Sequence, residues 1–267
     1  MKVYFMLFCM IISFQAVSKS KAPVIELYGD NNYPPYSYVT KDKTFTGIYP
    51  KILREAAKEI VGYKVIISPI PWKRGLRMLE KNKIKGLFPP YFRVEQRPFM
   101  WPYSLAILEE EAVVVCRKGV SLGAKPFWPM DFKKLVIGRN LGFATGGPIW
   151  KELIETKEIK DHQVRDMEMG ITMMSKDRID CYMNDRISIF WTINKMIKDK
   201  KISKDKRFKF VEKAIISRER GFIGFSSKWN PDYKEDFLKK LNNSLHELRK
   251  KGRVEEIKKE FLSKEPI

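Results

Sequence analysis

Histidine and cysteine are scarce in this chain, and their scarcity excludes several kinds of site. The 267 residues include two histidines and three cysteines, too few for a zinc cluster or a disulfide framework. No pairing of a nucleophile with a base stands out in the sequence either. We therefore expect no metal, no cofactor and no enzymatic activity.

Long apolar runs are also absent, except at the N-terminus. Lys2 precedes a mostly apolar segment at residues 3–17, which ends in Ala16-Val17-Ser18. A short basic region, an apolar core and a small-residue cleavage motif are typical of a secretory signal peptide, here residues 1–18. A buried N-terminal strand is the alternative. With the signal removed, we expect a soluble, periplasmic protein.

Acidic side chains are outnumbered by basic ones. The chain has 52 Lys and Arg against 32 Asp and Glu, which gives a net charge of +20. Such a charge often indicates nucleic acid or an anionic surface as the partner, but export argues against nucleic acid. Residues 195–213 alone hold nine basic residues. This cluster is either a solvated helix end and loop, or a patch for an acidic membrane surface or partner.

What the chain does contain is a repeated alternation of strand-like and helix-like patterns. In the first half, β-rich runs at 24–28, 63–70 and 84–88 are separated by helical patterns at 48–61 and from residue 71 onward. The second half repeats the order, with strands predicted at 135–138, 163–166 and 179–183 and helices at 148–155 and 167–176. The alternation predicts parallel sheets with right-handed crossovers, and hence an α/β protein of two lobes.

Two charged residues follow strand-like runs, at the sheet edge where α/β proteins bind ligands. They are Arg97 and Asp185. A guanidinium matches a carboxylate and an aspartate matches an ammonium, so the pair predicts a site for an amino-acid-like zwitterion. Each residue has an alternative: Arg97 as a surface residue paired with Glu95, and Asp185 as the N-cap of a helix that begins at Ile187.

Several motifs share one register along the chain. An aspartate is followed by Pro-Tyr, a helix opens with an aromatic residue, an arginine precedes Tyr-Ser, a glycine-bearing loop follows a strand, and two aspartates stand five residues apart. The blocks that carry them are Gly29–Tyr36, Pro71–Lys85, Phe88–Ser104, Val136–Gly147 and Arg178–Asp185. In these motifs the chain resembles the bacterial extracellular solute-binding proteins of family 3, the amino-acid receptors of ABC importers.

The resemblance implies a set of ligand-binding residues. They are Asp30, Tyr33, Trp72, Pro90, Phe92, Arg97, Thr145 and Asp185. In this assignment Arg97 and the loop at Thr145 hold the carboxylate of the ligand, and Asp185 holds its ammonium.

The remaining positions suggest an aromatic site. Tyr33 and Trp72 are expected to stack on the side chain of the ligand, unless they are ordinary core aromatics. Pro90 and Phe92 stand where the family has a glycine and a serine or threonine. We therefore expect a bulkier and more aromatic site than is usual in the family.

The resemblance also implies a two-lobe periplasmic-binding-protein fold, in which each lobe is a mostly parallel sheet flanked by helices. The chain is expected to cross between the lobes twice, near Glu110–Val114 and near Arg218–Ile223. The predicted first lobe comprises residues 19–111 plus 222–267, and the second comprises residues 112–221. Hinge closure would then bring both lobes onto the ligand.

The function that follows is that of a monomeric receptor, which delivers its ligand to the membrane permease of an ABC importer. A sensory subunit for a membrane signalling protein is one alternative. A cyclohexadienyl-dehydratase-like enzyme on the same fold is another, for which Glu26 and Glu95 are the carboxylates available besides Asp30 and Asp185.

Two cysteines remain after removal of the signal peptide. The resemblance places Cys116 and Cys181 on neighbouring antiparallel strands of the second lobe. A bridge between neighbouring strands strains disulfide geometry, so we expect two buried free thiols, with a disulfide as the alternative.

Overall fold

A computed structural model describes residues 21–263 of the protein, apart from the side chains of residues 206–208. The predicted signal peptide, residues 1–18, lies outside this range. None of the described helices is both long and apolar enough to cross a membrane. The strands and helices are, in chain order, β1 (Val24–Asp30), β2 (Asn32–Tyr33), β3 (Ser37–Val39), β4 (Phe45–Thr46), α1 (Ile48–Lys58), β5 (Lys64–Ile70), α2 (Trp72–Glu80), β6 (Gly86–Phe88), β7 (Met100–Tyr103), β8 (Leu108–Arg117), β9 (Val136–Asn140), α3 (Gly147–Glu155), β10 (Lys160–Val164), α4 (Met167–Ser175), β11 (Cys181–Asp185), α5 (Arg186–Lys198), β12 (Phe210–Gly221), β13 (Gly224–Ser226), α6 (Lys234–Lys250) and α7 (Arg253–Ser263).

The first sheet has the strand order β5-β1-β6-β13-β7. Strand β1 pairs in parallel with β5 and β6, whereas β13 runs antiparallel to β6 and β7. Side chains alternate along β1, so that Ile25 and Leu27 face one hydrophobic core and Tyr28 faces another. Helices α1, α6 and α7 pack together on the first of these cores. We call this sheet with its helices the first lobe.

The second sheet has the strand order β10-β9-β11-β8-β12. Strand β9 is parallel to β10 and β11, and β8 is antiparallel to β11 and β12. Along β8, Val113 and Val115 face one core while Val114 and Cys116 face the other. This second lobe therefore also has a helix-flanked sheet that is buried on both faces, as the sequence predicts.

Strands β8 and β12 connect the two lobes. They pair antiparallel from Leu108 and Gly221 at one end to Arg117 and Phe210 at the other. The chain enters β8 from β7 and leaves β12 towards β13, and both β7 and β13 belong to the first sheet. The predicted crossing segments lie at this end of the ladder, where Glu110 is paired with Glu219. The exact lobe boundaries, at residues 111–112 and 221–222, remain a prediction.

Differences from the sequence-based elements are small and have simple causes. The first helix ends at Lys58, three residues before the predicted end at Val61. The C-terminal segment forms two helices, α6 and α7, which are separated at Gly252, where the sequence predicts a break, and the φ of +73° at this position suits glycine. Strand β7 and the small sheet formed by β2, β3 and β4 were not predicted, because strands of two to four residues are too short to show a period of two.

The prediction of two free thiols is wrong. Cys116 and Cys181 form a disulfide. The two residues lie on neighbouring antiparallel strands, as expected. They face each other in the register of β8 and β11, and their Cα atoms are 3.9 Å apart. Residues directly opposite each other in a closely spaced antiparallel pair bring their side chains together. The two thiols are therefore close enough to form the bond, despite the strain expected between neighbouring strands.

The disulfide gives a direct test by thiol titration. A chain that begins after residue 18 should show no free thiol when it is denatured without reductant, and two after reduction. Because the bond closes a loop with a sequence separation of 65 residues, its loss should lower the free energy of unfolding by about 2–4 kcal/mol. Denaturant titration of the double variant Cys116→Ser/Cys181→Ser measures this loss, and two thiols in the unreduced protein would contradict the bond.

Candidate functional site

The loops that follow β1, β5, β6 and β9 meet between the two lobes. They enclose a cavity of about 380 Å³, counted to its mouth. Five of the eight residues predicted from the sequence are in its wall. The lining residues are Asp30, Tyr33, Trp72, Pro89, Tyr91, Arg93, Arg97, Phe143, Ala144 and Thr145.

Arg97 is a buried cation without a counter-charge. Its side chain is 7% exposed, Nη2 donates a hydrogen bond to the carbonyl oxygen of Gly142 at 3.2 Å, and the guanidinium lies 5.5 Å from the ring centre of Trp72. No carboxylate of the described residues pairs with it, so the alternative pairing with Glu95 is absent. Burial lowers the pKa of Arg97 to about 10, which leaves it positively charged at neutral pH.

Asp30 is the corresponding buried carboxyl group. Its side chain accepts a hydrogen bond from the backbone N–H of Asn32 at 2.9 Å, and no cation within the described residues pairs with it. Burial raises its pKa from 3.8 to about 7. The same cavity is thus lined by the carboxyl group of Asp30 and the guanidinium of Arg97, neither of which is neutralised by the protein, whereas the second arginine in the wall, Arg93, is paired with Glu219.

Aromatic rings form much of the remaining wall. Tyr33 and Trp72 line the cavity as predicted, and Tyr91 and Phe143 line it as well. The ring of Phe143 lies edge-on to Tyr33 at 5.7 Å and to Trp72 at 6.3 Å between ring centres. Phe143 was named in the sequence only as part of a glycine-bearing loop, and nothing in that pattern indicates that its ring contacts both aromatic residues of the first lobe.

The loop at residues 142–145 joins the two lobes across the cavity. Three side chains of the first lobe donate hydrogen bonds to its carbonyl oxygens: Trp72 and Arg97 to Gly142, and Arg93 to Ala144. Within the second lobe Arg139 donates to the carbonyl oxygen of Phe143 at 2.8 Å. The carbonyls are therefore occupied, and the lobes are in direct contact in this structure.

Pro90 and Phe92 do not line the cavity. The carbonyl oxygen of Pro90 accepts a hydrogen bond from the backbone N–H of Phe222 at 3.0 Å. The ring of Phe92 is 50% exposed and packs against Tyr103, with 4.8 Å between ring centres. Residues in an extended segment point alternately to opposite sides, so Tyr91 and Arg93 reach the cavity and the two predicted residues do not.

Asp185 is also outside the cavity wall, although it is only 1% exposed. Its Oδ1 accepts a hydrogen bond from the backbone N–H of Ser188 at 2.8 Å, which makes it the N-cap of α5. Its Oδ2 accepts from the backbone N–H of Glu111 at 3.2 Å. Both oxygens of Asp185 therefore accept hydrogen bonds from the backbone. Asp185 has the alternative role considered from the sequence, which is to cap a helix.

Glu110 is a buried carboxylate that the sequence analysis did not nominate. Its side chain accepts hydrogen bonds from the hydroxyl groups of Tyr33 at 2.5 Å, Tyr91 at 2.8 Å and Tyr49. Burial raises the pKa of Glu110. Burial, with the negative charge of Glu110 in addition, raises the pKa of Asp185 well above its usual value.

A signal for Glu110 was present in the sequence. It lies in the run Glu109-Glu110-Glu111, directly before the apolar residues of β8. Extending the alternation of that strand backwards places Glu110 on the buried side and Glu109 on the exposed side, as the structure has them. Glu110 links the cavity to the connecting strand β8, because Tyr33 and Tyr91 line the cavity and donate hydrogen bonds to Glu110.

These buried acids predict an unusual dependence of stability on pH. Asp30, Glu110 and Asp185 all have raised pKa values, so the folded state binds more protons than the unfolded chain. Their contribution to stability is fully present below the unfolded pKa values and is lost as the pH rises through the folded ones. For Asp30, the rise from 3.8 to about 7 corresponds to on the order of 4 kcal/mol.

Urea titrations at pH 5.5 and 7.5 test this dependence. The free energy of unfolding should be lower at pH 7.5, and Asp30→Asn should reduce the difference between the two values, because the folded pKa of Asp30 is about 7. Glu109→Gln is the control, because the side chain of Glu109 is 72% exposed, and it should keep the wild-type difference. Identical pH dependence in Asp30→Asn and the wild type would contradict the prediction.

Comparison with solved structures places the fold among two-lobe binding proteins. Holo ArgBP from T. maritima superposes with a TM-score of 0.65 and 18% sequence identity, over 89% of this chain and 96% of that one. A histidine kinase sensor domain with similarity to periplasmic binding proteins gives a TM-score of 0.70 and 16% identity, over 90% and 96% of the two chains.

An ancestral amino acid-binding protein, AncCDT-1, described as a precursor of cyclohexadienyl dehydratase, gives a TM-score of 0.67 and 15% identity, over 89% and 94%. At such identities these likenesses establish the fold and not the ligand. A sequence search of curated proteins finds no match.

The family comparison extends over almost the whole described chain. Residues 25–264 match the bacterial extracellular solute-binding proteins, family 3. The match includes both sheets, both crossing strands and every residue of the cavity wall. The chain belongs to the bacterial extracellular solute-binding proteins of family 3.

Proposed function

We propose that the protein is a secreted receptor whose two lobes close on a small amino-acid-like zwitterion. The observation that carries this proposal is Arg97, a guanidinium that is 7% exposed and has no carboxylate partner within the described residues. A buried charge is costly unless it is paired. A ligand carboxylate at this wall of the cavity would provide the missing partner through a bidentate contact.

The rest of the carboxylate site is proposed to come from the second lobe. Thr145 lines the cavity beside Arg97 and precedes α3 by a short glycine turn. Backbone N–H groups near the start of a helix are suited to anions. Holding one carboxylate from both lobes would favour the closed arrangement, because neither lobe makes all the contacts alone.

For the cationic group of the ligand, the geometry favours Asp30. The sequence had suggested Asp185 for this role, but both oxygens of Asp185 accept backbone N–H groups. Asp30 lines the cavity and has no cationic partner within the described residues. The rings of Tyr33, Trp72 and Phe143 line the same cavity and suit a ligand with an apolar or aromatic side chain.

We further propose that the protein acts as a monomer in the periplasm, after cleavage of residues 1–18, and delivers its ligand to the permease of an ABC importer. A sensory role is the second candidate, and the fold likeness to a histidine kinase sensor domain supports it. Both roles use the same ligand-driven closure. Capture of the closed receptor by the detergent-solubilised permease, and not by a sensor kinase, would distinguish them.

Substitution of Arg97 tests the carboxylate site. In a thermal-shift screen of amino acids, a ligand at 100 times its Kd should stabilise the wild-type protein by about 2.7 kcal/mol. Arg97→Ala should weaken that ligand roughly 30-fold or more. The variant should unfold at the same temperature as the wild type or higher without ligand, because it removes an unpaired buried charge.

The matched control for Arg97 is Arg165→Ala. Arg165 is an arginine of the second lobe whose side chain is 85% exposed, and its removal should leave ligand affinity unchanged. An Arg97→Ala variant that is folded and binds the ligand with wild-type affinity by calorimetry would exclude the proposed carboxylate contact.

Titration of Asp30 tests the cationic site. Since its pKa is about 7, the affinity for an amine-bearing ligand should fall as the pH is lowered below 7, by up to tenfold per pH unit. Asp30→Asn should bind the amine ligand weakly and lose this pH dependence, while binding of the deaminated analogue should change little. Equal losses for both ligands, or an unchanged pH profile in Asp30→Asn, would rule out the contact.

A further inference from the structure

A second groove between the lobes lies on the other side of strand β2. The side chain of Tyr33 lines the ligand cavity, whereas its neighbours Asn32 and Pro34 line this groove. The opposite wall is formed by the start of α4 and by α5 of the second lobe. The space that is accessible to small molecules amounts to about 450 Å³, which is within the range of ligand pockets.

The groove carries an excess of positive charge. Lys41, Lys195, Lys198 and Lys201 line it, against the two carboxylates of Asp199 and Glu168. Asp199 is held by two of these lysines, at 3.5 Å from Lys41 and 2.8 Å from Lys195, and Glu168 is paired with Lys201. No carboxylate of the described residues pairs with Lys198, which is exposed at the groove. The balance favours an anion.

Two buried hydrogen-bond donors in the same wall have no partner. The indole Nε1 of Trp191 and the hydroxyl Oγ1 of Thr192 make no hydrogen bond with the described residues. These side chains are 3% and 1% exposed, and both residues line the groove. Buried polar groups are nearly always hydrogen-bonded in folded proteins, so two unpaired donors in one wall indicate a place for an acceptor.

The remaining surface of the groove is apolar and comes from both lobes. The rings of Tyr38 and Trp191 are in contact across it, with 5.6 Å between ring centres. Val39 from the first lobe and Met167 from the second extend this surface. An occupant that contacts these side chains therefore needs an apolar body as well as an anionic group.

We propose that this groove is a second binding site, for a small organic anion that carries a phosphate or carboxylate group on an apolar body. The anionic group lies near Lys198 and accepts hydrogen bonds from Trp191 and Thr192. The apolar body packs against Tyr38 and Met167. Because the site takes residues from both lobes, an occupant stabilises the arrangement in which the lobes are in contact and raises the affinity of the ligand cavity.

The experiment uses phenyl phosphate as the probe and the chain that begins after residue 18. The protein is labelled with ¹⁵N at its tryptophan side chains, and the indole signal of Trp191 is assigned with Trp191→Phe. The Arg97→Ala background removes anion binding in the ligand cavity. Titration should shift the Trp191 signal in a saturable manner, and the apparent Kd should rise at least tenfold in Lys198→Gln/Thr192→Val.

Two control variants separate binding from folding and from general charge. Thr192→Ser keeps the hydroxyl and should retain the wild-type Kd. Lys250→Gln removes an exposed lysine at the end of α6, away from the groove, and should also leave the Kd unchanged. Both variants and the double variant should show cooperative thermal unfolding.

Three outcomes of the phenyl phosphate titration would overturn the proposal. They are a Trp191 signal that does not shift, a shift that grows without saturation, and a double variant that is folded and binds as well as the wild type. Inorganic phosphate that produces the same shift with the same Kd would also overturn it, because the site would then hold an adventitious ion only.

Discussion

The antiparallel ladder between β8 and β12 is the constraint on which the arrangement of this protein depends. Each strand is part of the second sheet, and the chain continues from one end of the ladder into the first sheet. The two lobes thus meet at a fixed edge, and the loops that follow the parallel strands of both lobes face each other. The ligand cavity exists because those loops are brought together by this one pair of strands.

The second constraint is the burial of ionisable side chains that have no charged partner. Arg97 and Asp30 lie in one cavity without partners within the described residues, and Glu110 lies behind it in a ring of tyrosine hydroxyls. Burial of such groups lowers the stability of the free protein. The zwitterion that we propose as the ligand would neutralise Arg97 and Asp30 and offset that loss, so the features that weaken the free protein would make ligand binding favourable.

Much of this site could be predicted from sequence, and the rest could not, for physical reasons. Asp30 ends a strand, and Arg97 and Thr145 lie in loops that follow strands, where order along the chain determines position in the fold. Asp185 also ends a strand, yet its carboxylate caps a helix. An aspartate suits both a ligand contact and a helix N-cap, so the sequence does not separate the two roles. Phe92 and Tyr91 differ by one position, which decides whether a ring faces the cavity or the solvent.

The bond between Cys116 and Cys181 was misjudged because strain was weighed without the register of β8 and β11. It has a topological consequence for the second lobe. Residues 117–180, which include the loop at Thr145, form a covalently closed ring. A protease that cuts this ring once opens the ring but cannot divide the molecule. The part of the cavity wall that comes from the second lobe therefore stays attached after a single cut, for as long as the bond remains oxidised.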